Sequence, residues 1–492
     1  MLPRHHRRTL LASLAGLLLI GELAQAQLPG PDPLNLNNAP PSDTLDSGYG
    51  APNALPSLPR LFSLALSNDS DLSRQRYESQ ATQQEVPLAR SALKPHISAS
   101  TSYYYQRADN IYTDNPERYP DEVYEDRVSG VANDTVWQVQ LVQPLFSLER
   151  WRQVDKALAQ ADAADLRVAV AERDLALQVV EAYLNAYLAS RKLGLLDSKR
   201  EALALQLRQA QRAYDLGIGD RINLLESKSR LDQAVADQVQ AENQLANALS
   251  DLERLTGLLP DFRGSTLGNL ERIAIEGGWG NAEDWLTRTP DNIQVRLAEQ
   301  LYQVAQLDTD VRRAGRYPEV NLTLGYSDRS SSDELRTSED ISASIELNVP
   351  IYQGGYTSAS IRQGELSALA GRAAMTNELR LARQEVRQRL RSLQGDTRQL
   401  EALSRSIESS ELFLEAATKG EALGLRDLVD VLDARADLYD LRIQFVEVVC
   451  QYLLDKTSLE AAVGGLGTDD LVNVMSVLQR ISGGDTSDIS NA

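Results

Sequence analysis

The same helix-breaking turn occurs twice in this chain, 207 residues apart. Leu216-Gly217-Ile218 followed by Asp220 matches Leu423-Gly424-Leu425 followed by Asp427, and Leu224-Leu225-Glu226 downstream matches Val431-Leu432-Asp433. Gly257 and Gly464 are also 207 apart, Pro144 and Pro350 are 206 apart, and Pro95 and Pro318 are 223 apart. The larger last offset fits a longer loop early in the first half. Self-similarity at a fixed offset marks an internal duplication, so both halves must fold by one plan.

That plan is a helix, two strands and a pair of long helices. In the first half a helical pattern runs from Leu58 to Leu93 and stops before Pro95, whose ring disfavours helix at Lys94. The period then changes to two. Ile97, Ala99, Thr101, Tyr103 and Tyr105 alternate with Ser98, Ser100, Ser102 and Tyr104, and Trp137, Val139 and Leu141 alternate with Gln138 and Gln140. This predicts two strands with one apolar and one polar face, His96–Gln106 and Thr135–Phe146, joined by a polar loop over 107–133. From Trp151 to Tyr214 the chain reads as one helix about 95 Å long. It breaks at Gly217 and restarts after Asp220, a candidate N-cap, to run to Thr256. The second half predicts a helix over 284–315, strands over 319–328 and 341–349 around a loop at 330–339, and a long helix to about Glu421. A second break and a restart at Asp427 follow. Helices this long imply a coiled coil or a helical barrel.

Charge and composition remove whole classes of function. Residues 1–26 have the form of a secretory signal: Arg4, Arg7 and Arg8, a short apolar run over Leu10–Ile20, and the cleavage site Ala24-Gln25-Ala26. The formal net charge is −20, or −22 without that segment, which disfavours nucleic-acid binding. His96 would be the one histidine left and Cys450 is the one cysteine, so histidine catalysis, a metal site and a disulfide framework are not expected, and no cofactor is. No other stretch reaches the ~20 apolar residues of a membrane helix. The expected organisation is a signal at 1–26, a Pro-rich arm at 27–57, a first repeat at 58–257, a linker at 258–283, a second repeat at 284–464, and a C-terminal helix and tail at 465–492.

Strands of about ten residues suit a tilted bilayer crossing, yet four strands cannot close a barrel and open edges are not viable in lipid. Membrane strands therefore require several copies of the chain to close one barrel. A small soluble sheet on a periplasmic coiled-coil structural protein is the alternative.

Gln143-Pro144-Leu145-Phe146 with Arg150-Trp151, Val349-Pro350-Ile351-Tyr352-Gln353-Gly354-Gly355, and the run from Gly424 to Ala434 decide between them. These stretches, with Leu453–Leu466 and Leu471-Val472-Asn473, resemble the strand-to-helix, periplasmic-turn and C-terminal signatures of TolC-type outer-membrane channels over about residues 58–480. The resemblance implies a mainly α fold with membrane β: a duplicated long-helix periplasmic tunnel, an α/β belt around 258–285 and 464–480, and four strands per chain in a trimeric 12-stranded barrel. It implies a homotrimer in outer-membrane lipid, a periplasmic adaptor and an inner-membrane ABC or RND transporter as partners, and a duct for efflux or type I secretion rather than an enzyme.

Asp430 and Asp433 lie three apart on one helix face, and three copies would form two carboxylate rings that favour cations. The resemblance places them at the periplasmic aperture. It makes Arg426 part of a polar lock, with Asn223 or a neighbouring carboxylate as partner, although Glu421, Ile222 and Asn223 depart from the family pattern there. Gly217-Ile218 and Gly424-Leu425 are the expected adaptor-docking tips. Solvated helix residues and plain turn chemistry are the simpler readings of the same positions.

Overall fold

The computed structural model describes residues 55–112, 127–262, 279–332 and 336–481, all within one unit, Asn53–Ala492. The signal, most of the Pro-rich arm, the tip of the first hairpin, most of the 258–283 linker and the final tail lie outside the described residues.

Three short helices open the first half: α1 (Leu58–Asn68), α2 (Ser70–Gln83) and α3 (Glu85–Ser91). One continuous helix was expected. The first break falls at Asp69, whose backbone is extended and whose Oδ1 accepts the Leu72 N–H at 2.7 Å, a capping geometry incompatible with helix running through it. The second falls ahead of Pro87, which has no N–H and crowds the preceding turn. Strands β1 (His96–Tyr112) and β2 (Arg127–Ser147) follow, then α4 (Leu148–Asp215) and α5 (Arg221–Thr256). The strands extend into the expected 107–133 loop at both ends.

The second half has the same order. A short α6 (Ala282–Thr287), a 3-10 turn at Thr289–Asp291 and α7 (Ile293–Ala314) replace the single expected helix. Pro290 makes the interruption, and buried Asn292 caps α7 by accepting the Gln294 N–H at 2.8 Å while donating to the Ala462 carbonyl at 2.8 Å. Then come β3 (Glu319–Ser331), β4 (Ser338–Asn348), α8 (Tyr356–Ala422), α9 (Leu428–Ala462) and α10 (Thr468–Ile481). Helices α4 and α8 have 68 and 67 residues and α5 and α9 have 36 and 35, so the duplication is nearly residue-for-residue outside the hairpins.

The strands form one antiparallel sheet in the order β1-β2-β3-β4. Its register aligns like with like across all four strands. Ile97 pairs with Leu141, Leu141 with Leu324 and Leu324 with Ala343; one step along, Ala99, Val139, Tyr326 and Ile341 line up. The opposite face aligns Ser98, Gln140, Gly325 and Ser342, then Ser100, Gln138, Ser327 and Asp340. Tyr103, Tyr105 and Trp137 share the apolar face and are exposed, whereas Tyr104 falls on the polar one, opposite Asp134. Every residue of β4 is exposed, and Ile341, Ile345 and Leu347 stand in solvent. Such a face and such an edge need lipid and another strand to cover them. Among the described residues no helix is long and apolar enough to cross a membrane.

The main core gathers α1, α4, α5, α8, α9 and α10 around fully buried Leu58, Tyr183, Tyr187, Leu252, Leu393 and Leu453. Tyr183 donates to the Pro56 carbonyl at 2.8 Å and meets Phe262 edge-on at 5.1 Å. Cys450 is buried there and its thiol is pushed up to about 12 by burial, so it packs rather than reacts. The second cluster, toward the turns, has only Leu203, Ala234 and Leu432 buried, with Leu231 and Leu428 against them. At about 1.5–3 kcal/mol per buried large apolar side chain, the turn ends are held far more weakly than the middle.

Candidate functional site

Both turns are built by one mechanism. Gly217 and Gly424 adopt left-handed backbone, φ 74° and 71°, which a β-carbon would strain. The next residue then closes the helix end: the Ile218 N–H donates to the Ala213 carbonyl at 3.0 Å and the Leu425 N–H to the Gly420 carbonyl at 2.8 Å. Open space surrounds both glycines, and Leu216, Ile218, Leu423 and Leu425 are each more than 70% exposed. Four large apolar side chains at two tips have nothing among the described residues to cover them.

The restarts differ. Asp220 Oδ1 accepts the Ile222 N–H at 3.1 Å, a regular N-cap. Asp427 makes no side-chain cap, although its carbonyl accepts the Asp430 N–H at 3.1 Å. Arg426 instead folds back over the end of α8, its guanidinium 5.8 Å from the Phe413 ring and its Cγ so near Gly420 that a β-carbon there would sit 3.0 Å away. Arg426 Nη1 reaches Asp430 Oδ2 at 3.3 Å. Within this chain its partner is a neighbouring carboxylate, and the Asn223 backbone carbonyl accepts from Ser227 Oγ at 2.8 Å. Glu421 is exposed and forms no ion pair among the described residues; its carbonyl accepts the Gly424 N–H at 2.9 Å.

Val431, Leu432 and Ala434 are buried against the chain's own helices, which turns Asp430 and Asp433 toward the exposed side of α9. Asp433 is not bare. Arg230 Nη2 on α5 donates to its Oδ1 at 2.6 Å while Arg230 Nε holds Glu226 Oε1 at 3.2 Å. Each aspartate therefore has an arginine: Asp430 from its own turn, Asp433 from the other helix pair. The four groups are 39–52% exposed, where an ion pair contributes about 0.2–1 kcal/mol. Contacts of that size hold an arrangement without fixing it.

Arg230 was absent from the residues singled out on sequence. Two signals pointed to it. Glu226 and Arg230 are spaced i, i+4, and the 207-residue offset sets Glu226 level with Asp433 on the duplicated helix, one turn from Arg230.

Comparison with known proteins agrees along most of the chain. A family model described as "Outer membrane efflux protein" matches residues 61–258 and 290–465. The outer membrane protein TolC of Vibrio cholerae serotype O1 is 26% identical over 438 residues, covering 88% of this chain and 95% of that protein. The alkaline protease secretion protein AprF of Pseudomonas aeruginosa is 26% identical over 420 residues, covering 83% of this chain and 85% of AprF. Among solved structures, the Campylobacter jejuni CmeC outer membrane channel superposes with a TM-score of 0.70 at 18% identity, over 88% of this chain and 90% of CmeC.

Proposed function

The chain belongs to the outer membrane efflux protein family, and from that premise we infer that it is one subunit of an export duct in the outer membrane, a passive conduit and not an enzyme. One observation carries this reading. The same chain joins a sheet with an apolar face and two open edges to two near-identical pairs of very long helices. Closing those edges in lipid takes copies of the chain, and three copies give twelve strands. The helix pairs then continue the barrel as a tunnel into the periplasm. Membrane fractionation tests it: the mature protein is expected in the outer-membrane fraction as an oligomer that forms channels in planar bilayers, and a monomeric periplasmic protein would overturn the reading.

The turn end is the gate. Asp430 and Asp433 form carboxylate rings around the aperture; Arg230 ties α5 to α9 through Asp433 at rest, while Arg426 holds Asp430 within its own turn and Glu226 holds Arg230 along α5. Glu421 and Asn223 border this lock. The small tip cluster lets the helix ends part while the main core stays packed. The exposed tips Gly217-Ile218 and Gly424-Leu425 receive a periplasmic adaptor, which couples the duct to an inner-membrane transporter. The family description supports efflux as one export class, and the name of AprF, an alkaline protease secretion protein, supports protein secretion, here of type I, as another. The chain is organised as two repeats, 58–257 and 284–464, joined by 258–283 and followed by 465–492.

A further inference from the structure

A groove of about 940 Å³ runs between α4 and α5 at the first tip. Arg208, Arg212, Arg221 and Lys228 line it, with Leu224 and Leu225 between the last two. We propose that this groove docks the acidic, leucine-bearing face of a helical hairpin from the periplasmic adaptor; the inference rests on the reading that the tips meet an adaptor, and it assigns the chemistry of that adaptor and the tip it selects.

The charge is the first argument. None of the four cations has an ion-pair partner among the described residues. Residues 202–214 contain no Asp or Glu, in a chain whose net charge is −20. Uncompensated positive charge gathered in one concave place, against the composition of the whole, attracts carboxylates and steers them there. Spacing is the second. Arg208 and Arg212 are i, i+4 on α4, and Arg221, Leu224, Leu225 and Lys228 stand at i, i+3, i+4 and i+7 on α5, a stripe about 10 Å long on one helix face. A guest helix with Glu or Asp flanking Leu at the same spacing meets both its apolar and its charged rows.

The second tip excludes the same guest. Lys419 pairs with Glu415 at 2.6 Å and Arg426 with Asp430 at 3.3 Å, which leaves Arg435, the counterpart of Lys228, as the one cation of the matching set without an ion pair among the described residues, while the exposed Glu421 and Asp427 have no such match among them and add negative charge. An acidic helix is therefore drawn to one tip of each subunit and repelled from the other.

The test uses the full-length protein in detergent and two synthetic amphipathic helices, one carrying Glu and Leu and the other Lys and Leu at these spacings. Fluorescence anisotropy should show the acidic helix bound at least about tenfold more tightly than the basic one, with affinity falling as salt rises from about 0.05 to about 0.3 M. Binding should be lost in the Arg208→Glu, Arg212→Glu, Lys228→Glu protein and kept when the two arginines become Lys. Undiminished binding to the Glu variant, or preference for the basic helix, overturns the proposal, as does equal salt-sensitive capture by anionic lipid vesicles. Gln211→Cys supplies a label site in the groove, since Cys450 is buried. Labelling in the folded oligomer is expected; labelling only after denaturation means that a second copy fills the groove, and that too overturns it. A wild-type protein that forms no channels would sink the duct reading, whereas a channel former that ignores the acidic helix sinks only this one.

Discussion

The two tips share a backbone and differ in charge. Gly217 and Gly424 have the same left-handed geometry, the following amides close on carbonyls five residues back, and apolar side chains protrude from both. Around the first, Arg208, Arg212, Arg221 and Lys228 have no ion-pair partner among the described residues; around the second, Arg426 is tied to Asp430 and Asp433 takes Arg230 from across the helix pairs. A duplicated turn keeps what the chain needs in order to reverse, an αL residue and a closing hydrogen bond, because both are backbone requirements. Surface charges face no such constraint. They are free to divide the labour, and on the function proposed above one tip stays open to a partner while the other joins a lock.

Breaking the lock should have the largest effect. Replacing Arg230 by Ala together with Arg426 by Ser removes both arginines from the aspartates, and resting leak through the reconstituted channel should rise by about tenfold, near 1.4 kcal/mol of lost restraint. An unchanged leak would mean that the pairs are surface decoration. Next comes the shared turn. Gly217→Val and Gly424→Val each place a β-branched residue at positive φ, costing about 1–3 kcal/mol, and because space is open at both sites the two penalties should match. Amide exchange at the tips reads this, and unequal losses would refute the equivalence of the two backbones.

The smallest effect lies away from the tips. Asp396 on α8 is half-buried, with Oδ2 left without a hydrogen bond, and burial together with the Asp455 carboxylate raises it to about 6. Its folded pKa lies above the unfolded one, so the folded chain binds the extra proton between those values. This contribution to stability rises as pH falls from 7 toward 5. Asp396→Asn should raise the unfolding temperature by about one to a few degrees at pH 7.5 and flatten the dependence between pH 5 and 7. An unaltered slope would assign that dependence to other groups.

The reversals and strands were legible because their signals are local: a glycine flanked by apolar residues ends a helix, and period-two alternation marks a half-covered strand. Strand ends were not. Residues 107–112 and 127–133 continue the ladder after the apolar face has run out, so periodicity fades while pairing persists. The breaks at Asp69 and Pro290 were hidden inside longer helical patterns. Asp430, Asp433 and Arg426 were visible as a spaced set beside a turn. Arg230 reaches Asp433 across 203 residues, a contact that only the register between the two halves could suggest.

Ion selectivity of single channels tests the gate most directly. The wild-type trimer should pass cations in preference to anions and be blocked by divalent cations added on the side of the turns, and the Asp430→Ala, Asp433→Ala protein should lose both properties. Selectivity and block that survive the double substitution would contradict the placement of these carboxylates at the aperture.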